Sequence, residues 1–232
     1  KGNLMMSAAS HSSDEEPSLH VISWNVAGWR RTLKEMTRTM GTSSSSSKGG
    51  EIRATQETLR EWLNKLECDV LCLQEVKLRR ADVRDSARAL CARLDDDVYE
   101  SFWACNDGGA SQRAGLNGVA TYAKKGSVIS ANRAPFGDAS LDDEGRCLVT
   151  DHREGFRLFN VYAPNSSGGK RLGYKLKWNA ALWRAVFESP RPVIVAGDLN
   201  NALRPSDRHW TFQSLTPTMD WWPPIVRALR ER

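Results

Sequence analysis
Four short apolar runs, each ending abruptly in a polar cluster, constrain this 232-residue chain more than any other feature. They lead into 23-SWNVAG-28, 74-QEVK-77, 160-NVYAPN-165 and 197-GDLN-200. Apolar runs of about four to eight residues bounded by turn formers read as buried strands. Polar side chains at their ends project from a sheet edge. The strands expected are Leu19–Trp24, Asp69–Leu73, 98–103, 117–123, 146–151, 156–162 and a central strand at 192–197. Ile52, Leu59, Trp62, Leu63 and Leu66 recur at helical spacing, as do Val83, Ala87, Leu90, Cys91 and Leu94. A third helical set is Leu176, Ala180, Trp183 and Phe187. The alternation predicts an α/β or α+β chain.

Residues 1–18 are polar and Ser-rich and read as a disordered leader; the domain then occupies 19–232. A Ser-rich insertion at 37–50, centred on 41-GTSSSSSKGG-50, reads as flexible. The apolar share of 40% excludes a wholly disordered chain. No run approaches the ~18 apolar residues of a membrane span. The formal charge of +5 allows a polyanionic partner. Five cysteines, odd in number and partly within apolar runs, read as free thiols in a reducing compartment. No secretory signal opens the chain, and its start at Lys1 reads as that of a fragment.

A hard divalent cation takes oxygen ligands, and Mg2+ needs only one or two carboxylates among its waters. Glu75 with Asn25 meets that need. Asp198 and Asn200 alternate across Leu199, so both can face one side of a strand end. An Asp can orient or deprotonate water. An Asn amide can donate to a charged phosphoryl oxygen.

Together the four motifs resemble those of the endonuclease/exonuclease/phosphatase superfamily, which includes DNase I and exonuclease III. Glu144-Gly145-Arg146, Tyr162-Ala-Pro-Asn165, Arg171-Leu-x-Tyr174-Lys and Trp178 are similar to segments of exonuclease III-like AP endonucleases. The segment 198-DLNNALRPSDRHW-210 is similar to the AP endonuclease 2 branch. The resemblance covers roughly 19–210 and implies a four-layer α/β/β/α sandwich of the DNase I type with an incomplete second sheet. It implies a Mg2+-dependent base-excision-repair nuclease, with Mn2+ as a substitute metal. Such an enzyme cuts 5′ to abasic sites and trims 3′ ends of damaged double-stranded DNA.

Carried over residue by residue, Glu75, Asn25, Asp198 and Asn200 become the metal-side residues. Tyr162, Asp198 and Asn200 become catalytic. Lys77, Arg146, Asn165 and Arg171 become DNA-backbone contacts, and Asp207 a supporting acid. The resemblance further implies a monomer in the nucleus, or alternatively the mitochondrion, without a membrane partner. Repair-protein partners would act through a further C-terminal region. Ala27 stands where many relatives carry a second metal-side Asp. Of His11, His20, His152 and His209, none supplies the closing Asp-His pair of the family, and 25 residues follow Asp207.

Blander readings stand beside these. Asn25 can cap a helix, Arg146 and Arg171 can be surface charges, and Asp207 a turn residue. Trp24, Trp62, Trp178 and Trp183 read as core, and His209 as structural. Other phosphodiesterases of the superfamily, acting at retroelement sites, on RNA or on inositol phosphates, are competing functions. A non-catalytic nucleic-acid-binding remnant is another.

Overall fold
The computed structural model describes residues 18–40, 48–84, 93–94, 97–106, 108 and 113–201. They form two four-stranded sheets. The first contains β1 (Val21–Asn25), β2 (Val70–Gln74), β3 (Tyr99–Ala104) and β4 (Val119–Lys124), in the order β1-β2-β4-β3. The second contains β5 (Val128–Asn132), β6 (Cys147–His152), β7 (Arg157–Tyr162) and β8 (Val193–Asp198), in the order β5-β6-β7-β8. Five helices accompany them: α1 (Trp29–Met40), α2 (Lys48–Lys65), α3 (Arg80–Arg84), α4 (Ala139–Asp142) and α5 (Leu172–Phe187).

The period of two along each strand assigns the layers. In β2, Leu71 and Leu73 pack with Trp29, Leu33, Leu59 and Leu63 of α1 and α2, while Val70 and Cys72 pack with Leu158 of β7 and with Phe156 just before it. In β7, Phe159 and Val161 turn the other way, onto Trp178 and Leu182 of α5. The result is the expected α/β/β/α sandwich.

Between the sheets lies a polar seam. Asn160 Nδ2 donates to the Ala120 carbonyl at 2.7 Å, and its Oδ1 accepts from Gln74 Nε2 at 2.9 Å. Asn160 is fully buried, yet its amide is satisfied, so the seam carries little desolvation penalty.

Several expectations are corrected. The 192–197 strand was expected to be central, but among the described residues β8 pairs only with β7. Its apolar run has another origin. Ile194 and Ala196 pack on the first sheet, while Val193 and Val195 pack in the α5 layer, so both faces are covered. On α5 the buried stripe is Lys175, Trp178 and Leu182, while Leu176 and Phe187 are exposed. The helical period was right and the face was wrong, because the buried stripe includes a lysine.

α1 went unread, although Trp29, Leu33 and Met36 recur at helical spacing and all pack into one core. β5 was also missed, its burial being slight. Helix on both sides narrows the Ser-rich insertion: 37–40 belong to α1 and 48–50 to α2. Residues 1–17, 41–47, Ala87, Leu90, Cys91, Asp207 and His209 lie outside the described residues. Trp178 is fully buried, and Trp24 and Trp62 are half-buried with tilted rings whose centroids lie 5.7 Å apart. Trp183 is half-buried, paired with Phe187. The four described cysteines are free. No helix among the described residues is long and apolar enough to cross a membrane.

A candidate active site at the joined ends of two sheets
Parallel pairing brings the site together. β1 runs parallel to β2, with Asn25 level with Gln74, and β7 runs parallel to β8, with Tyr162 level with Asp198. Each pair therefore delivers two polar ends side by side, and hydrogen bonds join the two pairs. Asn25 Nδ2 donates to Glu75 Oε1 at 2.9 Å and to Asp198 Oδ2 at 2.9 Å. The Tyr162 hydroxyl donates to the Glu75 carboxylate. Lys77 Nζ lies 3.0 Å from Glu75 Oε2 and donates to the Ala27 carbonyl at 3.2 Å.

The backbone turns sharply here. Ala27, Glu75 and Lys77 all have left-handed φ, at 51°, 53° and 52°. Such conformations are costly for residues other than glycine and concentrate where surrounding contacts hold side chains for a task. At Gly197 a Cβ would collide with the Val161 carbonyl oxygen, so glycine permits the close approach of β8 to β7 just before Asp198.

Burial pushes the Glu75 carboxyl up, but hydrogen bonds from Asn25, Lys77 and Tyr162 outweigh it, leaving the pKa below its ordinary value. Burial and the neighbouring Glu75 push the Tyr162 phenol up to about 12, so it remains a proton donor at neutral pH.

Behind Tyr162 is a buried ionic hub centred on Glu144, a residue that the sequence reading quoted without giving it a role. Glu144 Oε2 accepts from Arg146 Nε at 2.5 Å, and its Oε1 accepts from Arg171 Nη2 at 2.5 Å. Arg146 also donates to the Tyr162 carbonyl at 3.2 Å and lies over the Tyr162 ring, 5.0 Å from its centroid. Gly145 fits because a Cβ there would strike the backbone of Ala104 and Cys105. Lys175 on α5 is also buried; burial lowers its pKa, and the charge of Asp198 acts against that shift.

The predicted residues thus divide. Asn25, Glu75, Tyr162 and Asp198 meet, with Lys77 beside them. Arg146 was read as a DNA-backbone contact or a surface charge; at 4% exposure it is not a surface charge, and it braces Tyr162. Arg171 is tied to Glu144 with its side chain 24% exposed. Asn165 is exposed, and its Oδ1 accepts from the Ser167 amide at 2.7 Å in a turn. Asn200 has a left-handed φ of 49° and opens a second structural unit, Asn200–Arg232. Glu144, Lys175 and Asn160 were missed as contributors. The signal was present for Asn160, a lone amide within the apolar run of β7.

Among the described residues no group of three or more His, Cys, Asp and Glu forms a metal cluster. The carboxylate oxygens of Glu75 and Asp198 that meet here are hard ligands, while Asn25 turns its Nδ2 to them and its Oδ1 to the Ala27 amide. They fit Mg2+, which needs one or two carboxylates.

The profile of the Endonuclease/Exonuclease/phosphatase family matches residues 22–227. The DNA-(apurinic or apyrimidinic site) endonuclease 2 of Bos taurus is 31% identical over 228 residues, covering 83% of this chain and 40% of that protein. The chain thus spans less than half the length of this curated relative. The crystal structure of AP endonuclease LMAP from Leishmania major aligns with a TM-score of 0.62 at 25% identity, over 96% of this chain and 68% of that one. The Xenopus laevis APE2 catalytic domain aligns with a TM-score of 0.56 at 24% identity, over 88% of this chain and 67% of that one.

Proposed function
The chain belongs to the endonuclease/exonuclease/phosphatase family, and from that premise we propose that it is a DNA-repair phosphodiesterase acting on the backbone 5′ to abasic sites, with 3′-end trimming as a second activity. The observation that carries the proposal is the Asn25 amide held between Glu75 and Asp198 beside a protonated Tyr162. This arrangement joins a cation-binding carboxylate, a carboxylate oriented to accept a proton and a neutral donor. The similarity to DNA-(apurinic or apyrimidinic site) endonuclease 2 supports DNA as the substrate.

In this reading Glu75, with Asn25, would hold Mg2+, and Asp198 and Asn200 would lie on the metal side. The bound ion would neutralise charge on the departing 3′-oxygen. Asp198, its Oδ2 fixed by Asn25, orients the attacking water through its carboxylate and takes its proton. The Tyr162 phenol donates to a phosphoryl oxygen. Asn200, two residues beyond Asp198, supplies the amide that the resemblance assigns to the same charge. Arg146 keeps β7 and the Tyr162 ring in place from behind. Localisation to the nucleus and a monomeric state belong to the same proposal.

The test is incision of duplex DNA carrying one abasic-site analogue, compared with intact duplex and an inositol phosphate, with Mg2+ supplied. Incision confined to the abasic strand and reduced by Asp198→Asn by about 10²-fold or more is expected. Equal turnover by wild type and Asp198→Asn would remove the proposed role of this site. Preference for the inositol phosphate would move the chain to another branch of the family.

A further inference from the structure
Alternate residues of each strand face the layer between the two sheets, so that layer is built in tiers. The lowest is dry, with Val21, Val70, Leu158 and Ile194 in one apolar cluster. The uppermost carries Asn25, Glu75, Tyr162 and Asp198. Between them lies an amide tier. Asn160 stands two residues before Tyr162 on β7, and Gln74, the last residue of β2, immediately precedes Glu75.

Gln74 Nε2 donates across the layer to Asn160 Oδ1 at 2.9 Å, and within its own sheet to the Cys72 carbonyl at 3.1 Å and Ser23 Oγ at 3.2 Å. Asn160 Nδ2 donates back across the layer to the Ala120 carbonyl at 2.7 Å and to Thr121 Oγ1 at 3.2 Å. Gln74, Thr121 and Asn160 are all buried. β7 is thus tied to two strands of the first sheet, β2 and β4. Apolar packing is non-directional and lets stacked sheets slide by fractions of an ångström, whereas hydrogen bonds weaken steeply off axis and resist it.

Two further bonds join the sheets in the uppermost tier, Asn25 to Asp198 and Tyr162 to Glu75. Both end on groups that the proposed reaction needs. Once Glu75 turns to a cation and Tyr162 to a phosphoryl oxygen, they release each other, and the uppermost tier loses part of its grip as the reaction begins. The amide tier lies beneath, reaches neither cation nor substrate, and keeps its bonds throughout. We infer that Asn160 and Gln74 are positioning residues, which hold Tyr162 and Asp198 of one sheet in register with Asn25 and Glu75 of the other during turnover. The inference rests on the reading of the chain as a phosphodiesterase and adds to it the device that fixes the geometry of its site.

The experiment compares the full chain with Asn160→Leu/Gln74→Leu, with the exchanged pair Asn160→Gln/Gln74→Asn, and with Leu63→Ala, which weakens the α2 layer away from the amides. Two quantities are read at a temperature where urea titration shows every variant folded. One is kcat and KM for abasic duplex with Mg2+. The other, without metal or DNA, is hydrogen exchange of the Asn25 side-chain amide, which bridges the sheets. The leucine pair should lower kcat by about 10²-fold, the cost of roughly an ångström of misplacement, with KM nearly unchanged. It should also exchange the Asn25 amide faster than the wild type. The exchanged pair keeps both amides and their summed length and should recover part of each effect, and Leu63→Ala should leave both quantities at wild-type values. A wild-type kcat or an unchanged Asn25 exchange rate in the leucine pair overturns the inference, as does an equal fall of kcat in Leu63→Ala. A wild type that cuts no abasic duplex, with Asn25 exchange still faster in the leucine pair, would defeat the catalytic reading and leave the positioning role standing.

Discussion

Asn25 and Asp198, 173 residues apart and in different sheets, are joined by one hydrogen bond of 2.9 Å. The same amide nitrogen donates to Glu75 at 2.9 Å. Its two hydrogens serve two carboxylates that would otherwise face one another as like charges. Asn25 thus sets both the spacing of the acids and the junction of the sheets.

Replacing Asn25 by Ala should lower stability near neutral pH and make stability depend less on acid. Glu75 has a folded pKa below its unfolded value of about 4.3. The stability it contributes is therefore fully present above about pH 4.3 and is lost as pH falls through the folded value. Removing one of the bonds that lower the folded value shrinks that contribution. Urea unfolding across this range should show the wild type and Asn25→Ala converging as pH drops below about 4. A constant gap would show that the amide does not hold Glu75 ionised.

Glu144 binds two arginines, and its loss leaves buried Arg146 uncompensated. Removing one partner of a buried pair costs about 3–5 kcal/mol, whereas replacing both with apolar groups is often neutral. Glu144→Ala should therefore be much less stable than Glu144→Leu/Arg146→Met, as measured by a denaturant double-mutant cycle. Glu144→Gln, which keeps an acceptor, should retain part of the stability. Additive losses would remove the coupling.

How much of this was legible in the sequence follows from its chemistry. Strand ends were readable because apolar runs stop abruptly at Asn25, Gln74, Tyr162 and Asp198, and parallel pairing then brings those ends together. The partners of the charges were not. Arg146 reads as a surface cation until Gly145 lets its loop pack against the backbone of Ala104 and Cys105, which buries it beside Glu144. Lys175 hid the buried face of α5 for a related reason: a lysine breaks an apolar stripe on paper, yet the helix packs with its ammonium toward Asp198 and Arg146.

The seam amide makes a sharper test of packing. Asn160 donates to the Ala120 carbonyl and to Thr121, and accepts from Gln74. Asn160→Leu fills similar volume but strands Gln74 Nε2 from this partner and leaves the Ala120 carbonyl without its side-chain donor. Gln74 Nε2 keeps its bonds to the Cys72 carbonyl and Ser23 Oγ, so each lost hydrogen bond costs about 0.5–1.5 kcal/mol. Asn160→Leu combined with Gln74→Leu should recover part of that loss, read as the midpoint of urea unfolding. A single variant as stable as the wild type would mean that the seam tolerates an apolar core.

His152 provides a pH response independent of the site. It is buried, lies stacked 4.3 Å from the Phe156 ring, and hydrogen-bonds through Nε2 to Thr150 Oγ1 at 2.9 Å. Its Nδ1 is buried without a partner among the described residues. Charging the ring makes both nitrogens donors, with no acceptor for Nδ1 among the described residues, and burial already lowers the pKa from its ordinary value. Because the folded pKa lies below the unfolded one, this histidine costs no stability well above about pH 6.5. Below that the unfolded state takes up a proton that the folded state resists. Stability then falls with pH by at most about 1.4 kcal/mol per unit, levelling once the folded group also titrates. His152→Leu removes this response. Its unfolding free energy should change less between about pH 7 and pH 5.5 than that of the wild type. Parallel curves would show that His152 is charged in the folded protein.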